Sequence, residues 1–333
     1  MNFEKIISDF SSHIWGYPLL LLIIGGGIYL LVISKFIPFR YIPHAFNILR
    51  GNYKEKQTSG KISHFKALST ALSATIGMGN IAGVAVAISI GGPGSIFWMW
   101  VSALIGMSTK FYTSSLAVMY RGKNSVGKKE GGPMYFIVNG LGKKWISLAI
   151  IFSLCGMIGA LPVFNVNQLT SAIENILIIP HGFEANIYSK LTIGFCLVII
   201  TSVVIIGGLK RISKIASKVV PLMVLVYLIS VILIIVINNE KILDSFKLIF
   251  TDAFEGKYYN GDAILGGSLG AFIIYGIRRG VFSNEAGIGM APMAHGEAKT
   301  DNPIKEGLVA MLGPAIDTIL VCTLTALAIL VTD

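Results

Sequence analysis

Charged side chains are scarce in this sequence of 333 residues, at 13% of the total against roughly 25% in an ordinary soluble domain. So little charge excludes a disordered tail and a water-soluble enzyme. Cysteine is scarce too, since Cys155, Cys196 and Cys322 are the three in the chain and each lies in an apolar run. Three scattered cysteines exclude a disulfide framework and a cysteine-ligated metal site, and we interpret them as packing residues.

Hydrophobic residues, in contrast, make up 54% of the chain, and the mean hydropathy is +0.73. Several uncharged runs exceed the roughly 18 residues that mark a membrane-spanning helix. The pattern predicts an all-α polytopic membrane protein whose first span is retained rather than cleaved. The predicted spans are residues 16–34, 67–90, 95–118, 145–173, 191–209, 219–237, 263–296 and 307–332.

The longest uncharged run covers residues 67–109, which is 43 residues. A continuous helix of that length would measure about 65 Å, twice the roughly 30 Å of a bilayer core. The chain must therefore turn back within the run. The sequence Gly91-Gly92-Pro93-Gly94 predicts the place of that turn.

The 27 basic residues are distributed unevenly between the predicted loops. Twenty fall on one side of the membrane, in the loops 35–66, 110–144, 210–218 and 297–306, and five fall on the other side. The positive-inside rule then places the N-terminus outside the cell. This explains the net charge of +10 by topology and contact with the lipid bilayer, so we expect no nucleic-acid partner.

Two predicted spans contain polar, glycine-rich stretches at membrane depth. Residues 75–80 (TIGMGN) interrupt the second span, and residues 283–289 (SNEAGIG) interrupt the seventh. Irregular backbone in a membrane is tolerated where it is buried in protein or lines a water-filled cavity. Because the two spans start on opposite sides, the pattern is typical of an inverted-repeat secondary transporter with two discontinuous helices.

The same stretches carry a resemblance to a known family. Residues 71–85 (ALSATIGMGNIAGVA) with 91–100 (GGPGSIFWMW), residues 279–292 (RGVFSNEAGIGMAP) followed by His295 and Asp317-Thr318, and residues 131–135 (GGPMY) closely resemble the motifs of the alanine or glycine:cation symporter family. The resemblance covers essentially the whole chain. It implies a leucine-transporter-type fold of five plus five helices in inverted repeat, and sodium-coupled uptake of an amino acid.

The resemblance also implies a division of the chain. We expect an extracellular N-terminus, a leading helix and a basic cytoplasmic loop in residues 1–66, and a first five-helix repeat in 67–237. An extracellular loop follows in 238–262, and the second repeat starts at 263–333. Only two helices of the second repeat fall within the sequence, so we expect a chain that is truncated relative to the family.

A site for an amino acid needs donors for its carboxylate and acceptors for its ammonium, and interrupted helices supply both. The backbone at the first interruption is expected to bind the carboxylate. The fourth span has Asn165 where family members commonly have glutamine, and Asn165 or Gln168 is expected to reach the substrate. The predicted substrate-binding residues are Thr75, Gly77, Met78, Gly79, Asn165, Gln168, Ser283 and Gly287.

Sodium is expected to bind oxygen atoms of Asn80, Ser283 and Asp317. Each has a second interpretation: Asn80 as a helix cap, Ser283 as a donor to its own helix, and Asp317 as the partner of a neighbouring helix. A buried charge such as Glu285 needs a partner. We expect a structural brace, with Arg279 as one candidate donor, while direct ligand contact and a protonatable coupling group stay open.

These expectations predict a sodium-coupled symporter that imports a small neutral amino acid, alanine or glycine first, by alternating access in the cell membrane. No cofactor is expected besides sodium as the coupling ion. One alternative is an incomplete, non-transporting fragment that needs further C-terminal helices. Another is a membrane enzyme using Ser283 or Glu285, but no nucleophile and base occur at a recognisable spacing. His64 and His295 are interpreted as interface residues rather than metal ligands.

Overall fold

The computed structural model describes residues 5, 10, 13–53, 60–124, 127, 129–258 and 268–332. Most of the described chain is helical. The main helices are α1 (Tyr17–Ile33), α2 (Ile37–Arg40), α3 (Ile42–Leu49), α4 (His64–Thr75), α5 (Met78–Gly91), α6 (Ser95–Met119), α7 (Pro133–Phe136), α8 (Ile146–Gly159), α9 (Val163–Ile173), α10 (Ile187–Ile205), α11 (Gly208–Ile237), α12 (Ile242–Glu255), α13 (Ser268–Asn284), α14 (Ala291–His295) and α15 (Pro303–Thr332).

Short elements fill several connections between these helices. Two-residue strands β1 (Gly122–Lys123) and β2 (Lys129–Glu130) pair in antiparallel fashion, with Gly122 opposite Glu130. Turns of 3-10 helix cover Lys143–Trp145, Ile179–His181 and Asn239–Lys241, and π-helical turns follow α7 and α9 at Ile137–Leu141 and Glu174–Ile178. A single parallel bridge joins Ile62 to Ala298.

Three described helices are long and apolar enough to cross a membrane: α10, α11 and α15. The pair formed by α4 and α5 meets the same criterion as one bent span. The other spans that the sequence predicts stay predictions, and the start of the seventh, at residues 263–267, lies outside the described residues. None of the residues of α10 is buried by protein, as expected for a helix whose solvent is lipid.

The reversal after α5 occurs where the sequence predicts it. α5 ends at Gly91, α6 begins at Ser95, and Gly92 has a left-handed φ of 75°. The N–H of Gly94 donates to Oδ2 of Asp252 over 2.7 Å, which fixes the turn against α12. Residues 242–255 are therefore a helix packed on the protein core, whereas the sequence analysis treated 238–262 as a loop. One face of this helix is buried and the other is exposed, so polar residues interrupt its apolar ones. The sequence therefore contains no long apolar run at this point.

α6 occupies the centre of the described structure. It packs against α13, the first half of α15, α14 and α1, and many of its residues are buried. The two interrupted segments, α4–α5 and α13–α14, both contact this central region. Cys322 is buried as expected of a packing residue, but Cys155 and Cys196 are exposed on the outward helices.

Candidate functional site

The first interruption separates α4 from α5, whose directions differ by 42°. α4 ends at Thr75 and α5 begins at Met78. The N–H of Gly77 donates to Oδ1 of Asn80 over 3.0 Å, and the N–H of Asn80 donates to the carbonyl of Gly77 over 3.1 Å. Asn80 therefore caps the start of α5, which was one of its two interpretations.

The other end of the Asn80 side chain points into the protein. Its Nδ2 donates to Oδ1 of Asp317 over 2.8 Å and to the main-chain oxygen of Asp317 over 3.1 Å, and it lies 3.2 Å from Oγ of Ser283. Asn80 is fully buried. Its side-chain oxygen accepts from Gly77, and the amide nitrogen faces the carboxylate. An amide oxygen has two lone pairs, so sodium binding at Asn80 together with the cap stays a prediction.

Asp317 receives hydrogen bonds from three side chains. Besides Asn80, the hydroxyls of Ser283 and Thr318 each donate to its Oδ2 over 2.8 Å. Asp317 is fully buried and lies in the π-helical segment Ala315–Cys322 of α15. Such π-turns are frequent at functional sites, because the extra residue widens the turn and redirects side chains. The structure shows the contact of Asp317 with neighbouring helices, and cation binding at its carboxylate stays a prediction.

The second interruption follows Asn284, the last residue of α13, and lasts until α14 begins at Ala291. Oδ1 of Asn284 accepts from the N–H of Ala286 over 2.9 Å. Glu285, Gly287 and Gly289 have left-handed φ values of 53°, 92° and 97°. A left-handed glutamate is strained, and strained residues of this kind concentrate at functional sites. Both interruptions thus fall where the sequence predicts them.

Four more side chains complete the surroundings of Asp317. Cys322 Sγ lies 3.3 Å from Oγ of Ser283, and Thr325 Oγ1 donates over 2.8 Å to the carbonyl oxygen of Asn80. The hydroxyl of Tyr227 lies 2.5 Å from Thr325 Oγ1, and Asn284 Nδ2 donates to Thr318 over 3.3 Å. We refer to Asn80, Ser283, Asn284, Asp317, Thr318 and Cys322 as the buried polar cluster. Sequence reasoning missed Asn284, Cys322, Thr325 and Tyr227, although polar residues spaced along the apolar α15 were a usable signal.

Several predicted substrate residues lie outside this cluster. Thr75 is buried, and its hydroxyl donates to Leu72 in its own helix over 3.4 Å. Asn165 is exposed and Gln168 half-buried on α9, and neither hydrogen bonds to the cluster. Gly287 is exposed beside Ile23 of α1. For Met78 the structure describes the backbone alone.

The proposed pairing of Arg279 with Glu285 is wrong. Nε and Nη2 of Arg279 donate to the hydroxyl of Tyr275 over 3.1 and 2.7 Å, and the guanidinium lies over the Tyr275 ring at 5.1 Å. The physical reason is helix geometry, since Tyr275 lies four residues before Arg279 on the same face of α13. Glu285 follows the end of that helix, on a backbone that turns away.

Lys110 is the charged residue that the sequence analysis misplaced. It was counted in a cytoplasmic loop because it ends an uncharged run, but it lies within α6 and is 2% exposed. Its charge interacts with those of Asp317 and Glu285. This region therefore holds the buried carboxylate of Asp317, the half-buried carboxylate of Glu285 and the buried ammonium of Lys110.

At the other end of these helices, His64 and His295 converge on one carboxylate. Each places its Nδ1 2.5 Å from an oxygen of Glu306, which is fully buried. His64 begins α4, His295 ends α14 and Glu306 lies in the first turns of α15. Within the described ranges, no three His, Cys, Asp or Glu side chains are arranged to hold a metal ion. The two histidines thus occupy an interface between the interrupted segments.

An ion pair beside this interface joins three parts of the chain. Nζ of Lys61 lies 2.9 Å from Glu297 and 3.0 Å from Glu130. Burial alone would lower the pKa of Lys61, but hydrogen bonds and attraction from the two glutamates outweigh it and raise the pKa. Burial alone would raise the pKa of Glu130, but Lys61 outweighs it and lowers the pKa. Together with His64, His295 and Glu306, these three residues form what we call the terminal clasp.

This arrangement can be compared with known proteins. The profile of the sodium:alanine symporter family matches residues 1–333. The chain belongs to the sodium:alanine symporter family. Its members are transporters, which supports the interpretation of this chain as a membrane protein that is not an enzyme.

Three relatives illustrate the similarity. The chain is 42% identical over 342 residues to an "Uncharacterized transporter" of Haemophilus influenzae, covering 100% of this chain and 71% of that protein. It is 40% identical over 331 residues to the "Sodium/alanine symporter AgcS" of Methanococcus maripaludis, covering 99% and 71%. It is 36% identical over 335 residues to the "Probable sodium/glutamine symporter GlnT" of Bacillus subtilis, covering 99% and 66%. The similarity to sodium-coupled carriers of two different amino acids supports sodium-coupled amino-acid symport in general.

Proposed function

We propose that this protein is a sodium-coupled symporter that imports a small neutral amino acid, alanine or glycine first, by alternating access. The observation that carries the proposal is the Asp317 carboxylate. It is fully buried and is bound both by Asn80 of the first interrupted segment and by Ser283 of the second. A carboxylate shared by two interrupted helices is suited to link cation binding to a rearrangement of both.

The sodium ion would bind at the oxygen atoms around Asp317. The carboxylate and the hydroxyls of Ser283 and Thr318 offer the hard oxygen ligands that such a cation prefers. In the structure both hydroxyls donate to Oδ2 of Asp317, each over 2.8 Å. A hydroxyl can rotate and accept instead of donate, so these two groups can serve an ion without moving the backbone.

The amino acid would bind at the start of α5. Gly77 and Gly79 have open space beside them, because a Cβ placed on either would find no atom within 4 Å. The first amides of a helix lack partners within that helix, and they carry a partial positive charge suited to a carboxylate. Glycine allows a ligand to approach these amides closely.

The topology forms part of the proposal. We place the N-terminus outside the cell membrane, the terminal clasp at the cytoplasmic end, and a leucine-transporter-type repeat in residues 67–237 with its inverted counterpart starting at 263. Asn165, Gln168 and Gly287 would approach the substrate only in another conformational state.

The test is uptake of labelled alanine and glycine by proteoliposomes that contain the full chain. We expect uptake when an inward sodium gradient is present and little when choline replaces sodium. Asp317→Asn should abolish the sodium-dependent part, while Asp244→Asn, at an exposed ion pair on α12, should retain it. Sodium-independent uptake would contradict the coupling ion, and a full sodium response in Asp317→Asn would contradict the site.

A further inference from the structure

Lys110 is a buried cation that no step of the proposed transport cycle has used. It lies in α6, fifteen residues after the helix begins at Ser95 and nine before it ends at Met119. Its side chain is 2% exposed. An ammonium is strongly hydrated in water, so a lysine this deep in an apolar protein needs compensation from a negative charge.

The packing of α6 directs Lys110 towards the interrupted helices. A Cβ placed on Gly313 of α15 would lie 3.2 Å from Nζ of Lys110, so this glycine leaves the room that the ammonium occupies. One turn earlier on the same face, a Cβ on Gly106 would lie 2.7 Å from Ala286 and 3.5 Å from Oδ1 of Asn284. The face of α6 that carries Lys110 thus contacts α15 on one side and the second interruption on the other.

Among the described residues, no ion pair joins Asp317 or Glu285 to a lysine, an arginine or a histidine. The three side-chain donors to Asp317 are the uncharged Asn80, Ser283 and Thr318. Lys110 is the one cation in the described part of the chain whose charge acts on both carboxylates, at a distance longer than that of an ion pair. In the usual ionised states the three groups sum to one negative charge.

We propose that Lys110 is the fixed counter-charge of the Asp317 and Glu285 carboxylates, a positioning residue that leaves the buried site with the charge of a single missing monovalent cation. Binding of one such cation makes the region neutral, whereas two cations would leave it positive. The identification of that cation as sodium rests on the proposed function. The role of Lys110 as counter-charge does not, because it follows from the charges and their burial.

The experiment restores the charge balance at a second residue. The full chain is purified in detergent as wild type, Lys110→Met, Lys110→Arg and the double variant Lys110→Met with Glu285→Gln. Lys143→Met is the matched control, since Lys143 is exposed on a 3-10 turn. Thermal unfolding is measured in choline chloride and again in a sodium chloride titration at constant ionic strength.

We expect Lys110→Met to unfold at a lower temperature in choline than wild type. Sodium should then stabilise this variant at a concentration about tenfold lower than wild type needs, because the ammonium no longer repels the cation. The double variant should recover most of the lost unfolding temperature and the wild-type sodium dependence, and Lys110→Arg should stay near wild type. A purely structural Lys110 would not be rescued by a change at Glu285.

Two results would overturn the proposal. One is a double variant that is no more stable than Lys110→Met, including the case in which neither folds. The other is a Lys110→Met protein that matches Lys143→Met in both measurements. If the double variant is rescued while sodium stabilises none of the proteins, the counter-charge stands and the sodium-coupled function is what fails.

Discussion

The helix interruptions between α4 and α5 and between α13 and α14 are stabilised in different ways. At the first, a single asparagine caps the new helix: Oδ1 of Asn80 accepts from Gly77, and the bend occupies only two residues between α4 and α5. At the second, six residues separate α13 from α14, and three of them hold left-handed backbones. The first interruption is therefore fixed by one side chain, whereas the second combines the Asn284 side chain, which accepts from the N–H of Ala286, with a left-handed backbone at three residues. This difference indicates that the two interruptions depend on different residue types, an asparagine cap at the first and glycines at the second.

The largest loss of stability is expected from Asn80→Ala. The change removes the cap of α5 and a buried donor to Asp317, which together should cost about 2–4 kcal/mol in the free energy of unfolding. Denaturant unfolding of the protein in detergent measures it. Asn175→Ala is the control, because Asn175 is an exposed asparagine whose amide donates to Ser171 over 2.9 Å. A loss for Asn80→Ala no larger than for Asn175→Ala would show that the first interruption does not depend on its cap.

The second interruption can be tested by a pair of glycine substitutions. A Cβ on Gly289 would lie 2.7 Å from the ring of Phe152, whereas a Cβ on Gly287 would lie 3.5 Å from Ile23. Both residues have left-handed φ values, so each alanine should cost about 1 kcal/mol, and Gly289→Ala about 1–2 kcal/mol more through the clash. Unfolding temperatures of the two variants, measured under the same conditions, show which substitution destabilises the protein more. Equal losses would show that the ring of Phe152 moves away freely.

Gly79→Ala separates stability from binding at the first interruption. Gly79 is helical with open space beside it, so alanine should stabilise α5 by up to about 1 kcal/mol. The added methyl would fill the space assigned to the substrate carboxylate. We therefore expect higher thermal stability together with a KM for the amino acid raised by roughly tenfold, or about 1.4 kcal/mol. An unchanged KM would show that the substrate does not bind at this part of α5.

The smallest loss of stability is expected from a substitution in the terminal clasp. The lowered pKa of Glu130 gives a contribution to stability that is present above its ordinary pKa of 4.5 and is lost as the pH falls through the lower folded value. The raised pKa of Lys61 gives one that is present below 10.5 and is lost as the pH rises through the higher folded value. Lys61→Gln should thus lower stability by up to about 1 kcal/mol between those limits. Unfolding temperature against pH measures it.

Lys247→Gln provides the control for that profile, because Lys247 forms an exposed pair with Asp244 over 3.1 Å. It should leave the pH profile close to wild type. A Lys61→Gln profile that runs parallel to wild type at a constant offset from pH 3 to pH 9 would contradict the ionic origin of the contribution.

Sequence reasoning located both interruptions because their cause is local. Glycine and asparagine at membrane depth disfavour a continuous helix wherever the rest of the chain lies. It also singled out Asn80, Ser283 and Asp317, which the structure brings together over separations of 203 and 237 residues. What it missed depends on packing between helices. The orientation of the Asn80 amide and the burial of Lys110 are decided by the neighbours that each side chain meets.

The errors have the same origin. Arg279 was one candidate donor to Glu285, six residues later in the chain, but in the structure it donates to Tyr275 on its own helix. Residues 242–255 were assigned to a loop, because an amphipathic helix lacks a long apolar run, and its buried Asp252 was invisible without the turn at Gly94 that it binds. Local pattern predicts where a helix starts or stops, whereas the choice of partner follows from the assembled fold.

We propose above that the Asp317 carboxylate, shared by the two interrupted segments, binds the coupling cation. Calorimetric titration of sodium chloride into the purified full chain, with choline chloride balancing the ionic strength, tests it most directly. We expect a saturable heat in wild type that disappears in Asp317→Asn and persists in Asp244→Asn. Saturable sodium binding of unchanged strength in folded Asp317→Asn would contradict it.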